Sequence, residues 1–272
     1  MNYLSLSERK QVSLNILKNF HDFCIENDLK YTLAYGSLIG AVRHKGFIPW
    51  DDDIDVCMLR KDYDRMRAIW RNTENLMLVI PEAEKDYCFT YAKLVDKNTE
   101  LVDYNGNISA IGVGIDIFPM DYMSDNYEEE KVRFIQYQKK VDTILNRLFA
   151  YYVREQVKGI KKIIGIVAKK TGLLNYLAKK FSIYPSSVKS NSESKVGCLV
   201  SMHPYLFEYF DKEFFEPIIC DFEEFHFYIP KNYDKILTEQ YGDYMQLPPV
   251  EKQNTTHFEK FIWRKNDKRF TI

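Results

Sequence analysis

Residues 51–58 read Asp-Asp-Asp-Ile-Asp-Val-Cys-Met, an acidic cluster that runs directly into an apolar strand. Alternate residues of a strand share a face, so Asp53 and Asp55 are expected to point one way and Ile54 and Val56 the other. Two carboxylates held about 4 Å apart repel by about 4 kcal/mol at an effective dielectric of 20 unless a cation sits between them. Hard oxygen donors in that number suit Mg²⁺ or Mn²⁺, whose remaining positions go to water and phosphate oxygens. Asp51 and Asp52 follow Pro49 and are equally well explained as turn and capping residues. An aspartate inside the apolar run has no such explanation.

Asp116 has the same signature, lying between Ile115 and Ile117 in the run Val113–Phe118, where a charge needs a reason to exist. An adjacent strand would bring it to the same metal. Upstream, Gly36-Ser37 ends a first strand and opens a helix, offering N–H groups and a hydroxyl to a phosphate. A Gly-Ser turn, an Asp-x-Asp strand and a lone strand aspartate, in that order, are the layout of the nucleotidyltransferase fold.

The surrounding pattern is mixed α/β. Ser5 and Glu8 have capping-box spacing, and Leu14, Leu17, Phe20 and Cys24 recur at helical intervals, which predicts a helix over 6–27. Strands are expected at 30–35, 53–58, 76–80, 87–95, 99–104 and 113–118, the last stopped by Pro119, with helices at 38–43 and 61–72. Strand signals vanish over 126–181, where two long helical patterns are separated near Gly159, and a serine-rich stretch at 182–195 reads as a linker. A hairpin at 214–219 and 224–229, a helix over 233–241 and the turn-rich 242–249 follow. The division expected is a catalytic core over 1–125, an inserted basic helical region and polar loop over 126–195, and a part over 196–272 that completes the core.

With 272 residues, 46% of them hydrophobic, the chain can bury a conventional core, and a folded enzyme is expected. Its net charge of −1 gives no reason to expect nucleic acid. Five dispersed cysteines without a C-x-x-C pair read as reduced thiols of a cytoplasmic protein. The start MNYLSLSERK has no signal-peptide core, and no apolar run nears the roughly 20 residues of a membrane span.

The segment Tyr35-GSLIGAVRHKGFIPWDDDIDV-Cys57 closely resembles the signature of the LicD family, whose relatives include fukutin and fukutin-related protein, and GIDIFPMD at 114–121 and KNYDKILTEQYGDYMQLPP at 231–249 resemble its later motifs in the family's order. The resemblance implies a nucleotidyltransferase-like mixed sheet with flanking helices, and transfer of a phosphorylated alcohol from a CDP-activated donor to a sugar hydroxyl. In bacterial members the donor is typically CDP-choline and the acceptor a glycan of teichoic acid or lipopolysaccharide. The family's Asp-x-Asp falls on Asp53 and Asp55, its third acidic position on Asp116 and its Gly-Ser on Gly36 and Ser37. Asp116 is then either a third metal ligand or the base that takes the acceptor's proton.

Arg43, His44 and Lys45 lie between the turn and the acidic cluster, where they would clamp a diphosphate or form an ordinary solvated loop. Trp50 stacks on a base, walls the site or belongs to the core. Tyr241 and Tyr244 offer aromatic faces to a choline ammonium, and His257 is a further family-like position. Residues 131–180 carry 13 Lys and Arg against two acidic residues, and Ile160, Ile163, Ile164 and Val167 form an apolar stripe. A bundle helix with a solvated lysine face explains this pattern, as does peripheral contact with an anionic membrane, on whose inner face a lipid-linked glycan acceptor would be met. The competing functions are transfer of another CDP-alcohol phosphate or a nucleotidyl group, and a catalytically silent glycan-binding protein.

Overall fold

The computed structural model describes residues 3–81, 83, 87–102, 108–109, 111–154, 156–187, 194–200, 207–254 and 260–264. Helix α1 (Leu6–Glu26) opens on the expected capping box: Ser5 Oγ accepts the Glu8 N–H at 3.2 Å and the Ser5 N–H donates to the Glu8 carboxylate at 2.7 Å. Its buried stripe, Leu14, Leu17, Phe20 and Cys24, forms one wall of the main core. There follow β1 (Thr32–Leu33), α2 (Tyr35–Ile39) running into a π turn over Gly40–His44, β2 (Asp55–Leu59), α3 (Arg60–Ile69), β3 (Leu76–Val79), β4 (Ala92–Asp96), β5 (Thr99–Val102), β6 (Ile108–Ser109) and β7 (Gly114–Met123). The helices α4 (Tyr127–Val141), α5 (Arg147–Val153), α6 (Ile160–Lys170) and α7 (Leu173–Ser187) come next. Then come β8 (Lys195–Gly197), β9 (Phe210–Asp211), the β10 (Pro217–Phe222) and β11 (Phe225–Pro230) hairpin, α8 (Tyr233–Tyr241) and β12 (Lys260–Trp263).

The main sheet has the order β1-β2-β7-β4-β3, with β8 added to the far end of β7 and β9 beside it. Only β2 and β7 run parallel among these pairs; the others are antiparallel. Separate antiparallel pairings join β12, β5 and β6, and β10 with β11. The architecture is thus mixed α/β with flanking helices, and β7 is its spine. The four helices α4–α7 leave β7 at Met123 and return through β8, whose Lys195 is the register partner of Met123.

Pro119 does not stop the strand. The Asp116 N–H donates to Ile54 of the β2 side at 2.8 Å, so by alternation the Pro119 nitrogen faces the other edge of β7. There β4 ends opposite Ile117 and β8 begins opposite Asp121. The missing donor falls in the gap between two partners, where no ladder bond is lost.

Other boundaries moved for tertiary reasons. The second strand starts at Asp55 and not at 53, so Asp53 stands just before it. Residues 87–91 lie outside β4, and the first strand shrinks to Thr32–Leu33. The helical region breaks at Gly172, with φ of 75°, as well as at Gly159. The expected linker over 182–195 is helical to Ser187, because Leu174, Ala178 and Phe181 anchor α7 against Tyr137, Val141 and Leu145; residues 188–193 lie outside the described residues. All five cysteines are unbridged. No helix among the described residues is long and apolar enough to cross a membrane.

Candidate active site

The parallel register of β2 and β7 sets Asp55 directly opposite Asp116. On the other flank β4 sets Lys93 opposite Asp116, and Lys93 Nζ lies 2.8 Å from Asp116 Oδ1. The Tyr91 hydroxyl, from the residue just before β4, lies against the Asp116 carboxylate. Asp53, half-buried, precedes β2. Burial, followed by the carboxylates of Asp53, Asp116 and Asp51, pushes Asp55 well above the ordinary carboxylate range, and Lys93 offsets only part of that. Negative charge is therefore in excess at the start of β2 and β7, and every carboxylate in it offers hard oxygens, so the set fits a divalent cation in charge and donor type. Among the described residues no group of three or more Asp, Glu, His or Cys side chains is placed to hold a metal ion together.

The loop before β2 sorts the remaining aspartates. Asp52 is buried and ion-paired with Arg9 of α1, a structural role. Asp51 stays in the cluster. A Cβ on Gly36 would lie 2.8 Å from Asp51 Oδ2, so glycine is what lets the turn approach that carboxylate. Tyr35 enters the turn with φ of 49°, a left-handed conformation that few bulky residues adopt. Ser37 Oγ is buried and accepts the Asp55 N–H at 2.9 Å. Gly36 and Ser37 are thus built into the acidic loop. Ser37→Ala leaves that N–H without its acceptor, and the expected result is a stability loss of about 1–3 kcal/mol in urea unfolding with turnover lowered roughly tenfold as Asp55 loosens.

Beside the acidic array lies a cleft of about 610 Å³ lined by Ile39, Arg43, Trp50, Tyr241, Tyr244 and Leu247 among others. Four residues singled out from sequence, Arg43 and Trp50 from one segment and Tyr241 and Tyr244 from a distant one, meet here. Arg43 Nη1 donates to the carbonyls of Tyr244 at 2.5 Å and Gln246 at 3.3 Å, so it pins the turn after α8 to the π turn. Tyr244 donates its hydroxyl to Asp234 at 2.7 Å, and the residue, buried in the main core, also lines the cleft. Tyr241 joins the cleft to the carboxylates: its phenol is pushed up by burial and then by Asp55, Glu208 and Asp51.

His44 accepts from Arg43 Nε at 3.0 Å, and burial, Arg43 and Lys10 lower its pKa, so it is neutral at neutral pH. Lys45 is placed elsewhere. Its backbone has φ of 57° and its carbonyl accepts the Glu223 N–H at 2.8 Å, while its ammonium acts on Cys220 of the β10–β11 hairpin. His257 lies outside the described residues.

Lys93, Tyr91 and Glu208 were not found from sequence. Glu208 is buried, accepts the Cys198 N–H at 3.1 Å and the Gln240 Nε2 at 2.9 Å, and burial raises its carboxyl to about 7. With the folded-state value above the unfolded one, the stability it contributes is full below about 4.5 and is lost as pH rises through about 7. Melting curves are therefore expected to show Glu208→Gln more stable than the parent at pH above about 7, the difference shrinking on acidification.

Residues 28–151, which span β1 to α5 and hold Gly36, Asp53, Asp55 and Asp116, match the family model described as LicD/FKTN/FKRP, nucleotidyltransferase domain. Over 267 residues the chain is 31% identical to the lipopolysaccharide cholinephosphotransferase LicD of Haemophilus influenzae, covering 96% of this chain and 98% of that protein. Shorter matches join it to uncharacterized proteins of Rickettsia typhi, 43% identical over 58 residues covering 21% of this chain and 19% of that protein, and of Rickettsia prowazekii, 38% identical over 72 residues covering 26% and 27%.

Proposed function

The chain belongs to the LicD family, and from that premise we propose that it is a phosphotransferase that moves phosphocholine from CDP-choline to a sugar hydroxyl of a lipopolysaccharide- or teichoic acid-type glycan precursor. The observation that carries this reading is the Asp55–Asp116 register beside a cleft walled by Trp50, Tyr241 and Tyr244. In a nucleotidyltransferase-like core this is where a nucleoside diphosphate would lie.

Asp53 and Asp55 would hold Mg²⁺ or Mn²⁺, with Asp116 as a third ligand or as the acceptor's base; the cation would neutralise phosphate oxygens and the charge that develops on them. The protein's own residues do the positioning. Ser37 and Gly36 hold the acidic loop in place, Lys93 and Tyr91 fix the Asp116 carboxylate, and Arg43 keeps the cleft wall closed on the π turn. The aromatic faces of Trp50, Tyr241 and Tyr244 suit a quaternary ammonium by cation–π attraction, which favours choline over an uncharged alditol.

Calorimetric titration with CDP-choline, CDP-ribitol and CTP, with and without Mg²⁺, tests the reading. Tightest binding of CDP-choline is expected, dependent on metal and lost in Asp53→Ala/Asp55→Ala. A stronger response to CDP-ribitol or CTP would replace the donor and keep the site. Binding of none of the three would leave a silent glycan-binding protein as the better description.

A further inference from the structure

Helix α6 is packed inside out. The residues it buries are the small ones, Gly165 and Ala168. A Cβ on Gly165 would lie 2.4 Å from the Tyr152 backbone nitrogen, so the helix rests on the end of α5 through a face that admits no side chain there. Lys162 is turned to that same side, its Nζ donating to the Tyr152 carbonyl at 2.6 Å. The large aliphatic residues face outward instead: Ile160 is 73% exposed, Ile163 60%, Val167 51% and Ile164 44%. Positions 160, 163, 164 and 167 form one stripe at helical spacing, and by the same spacing the exposed Lys170 stands on its border, while Lys161 falls on the side of Gly165 and Ala168. A soluble helix has no reason to bury glycine and show isoleucine, and a contiguous exposed apolar face marks a surface that meets something else.

We infer that α6 is a lipid-docking element, seating Ile160, Ile163, Ile164 and Val167 in the interface of an anionic membrane while Lys170 reaches the headgroups. Charge complementarity selects this occupant. The stripe sits in a stretch, residues 131–180, with a net charge of +11 in a chain of net −1, which an anionic surface attracts and a second copy of the same basic region repels. Lysines flanking an apolar stripe can lay their methylene stems along it and keep their ammonium groups at the headgroup level.

The docked orientation has a consequence for the site. Helix α6 rests on α5, Phe149 of α5 meets the Phe89 ring at 5.9 Å, Phe89 meets Tyr91 at 5.5 Å, and Tyr91 reaches Asp116. A short run of packed rings therefore joins α5, the support of the lipid-facing helix, to the acidic array. Docking itself does not depend on the reaction assigned above and is read without substrate.

The test is co-sedimentation of the full chain with vesicles of pure phosphatidylcholine and with vesicles containing about one-third phosphatidylglycerol. Binding to the anionic vesicles alone is expected, weakening as salt rises. Ile160→Ser/Ile163→Ser/Val167→Ser should lower the partition coefficient at least about tenfold with the circular-dichroism melt unchanged. Lys170→Gln should lower it roughly fivefold. The inference is overturned if the parent ignores anionic vesicles, if the stripe variant binds as the parent does, or if light scattering finds a parent dimer that the stripe variant dissolves.

Discussion

Asp55→Asn is expected to abolish turnover, by at least about a thousandfold, while leaving the metal-free protein at least as stable as its parent. Activity falls because the substitution replaces an anionic donor at the centre of the array. Stability holds because Asp55 is, in the absence of a cation, a liability: burial and three neighbouring carboxylates disfavour its ionised form. Asparagine keeps the shape and removes the repulsion, for a gain of about 1 kcal/mol. Adding Mg²⁺ should raise the melting temperature of the parent and leave that of the variant nearly unmoved. A variant that melts well below the parent would mean that Asp55 is chiefly a structural acceptor, and a variant that still turns over would remove it from the reaction.

The second large effect lies at the other end of the same two strands. Arg60, the first residue of α3, reaches back to Asp121 of β7 through Nε at 2.7 Å and Nη2 at 3.0 Å, and both residues are buried. Burial pushes Asp121 above its ordinary value even with the guanidinium beside it, a sign that the carboxylate depends on its partner. Arg60→Met therefore strands a charge in the interior and is expected to cost about 3–5 kcal/mol in denaturant unfolding. Arg60→Met/Asp121→Leu should recover most of that loss, since two apolar groups leave nothing unpaired. A single variant within about 1 kcal/mol of the parent would show that solvent reaches the pair.

What could be read from sequence divides along a physical line. Asp55 and Asp116 stood out because a charge inside an apolar run violates the local pattern, and local patterns are what a sequence displays. Lys93 and Tyr91 did not, because nothing near them is unusual; they matter only through the register that β4 takes against β7, a pairing of distant segments. Pro119 was misread for the same reason, since whether its missing N–H matters depends on which neighbour stands at that edge. Arg43 was recognisable as a cation near the site, but its grip on the carbonyls of Tyr244 and Gln246 joins positions some two hundred residues apart. The stripe on α6 was visible as a period, yet a period carries no sign: the same spacing describes an apolar face turned inward and one turned outward, and only the packing of Gly165 on α5 decides between them.

The helices α4–α7 begin and end at register partners, Met123 and Lys195. The excursion is packed on the core as well as tethered to it, with Gln138 Nε2 donating to the Leu199 carbonyl and Asn175 Nδ2 to the carbonyls of Pro81 and Tyr87, while the entropy of closing it grows only with the logarithm of its length. Its outward surface and the breaks at Gly159 and Gly172 can therefore change without shifting the register that sets Asp55 against Asp116, so long as the faces of α4, α5 and α7 that meet the core are kept. A variant that recharges only the outward face of the excursion between Met123 and Lys195 is the corresponding experiment for an engineer, with surface charge changed and the register kept.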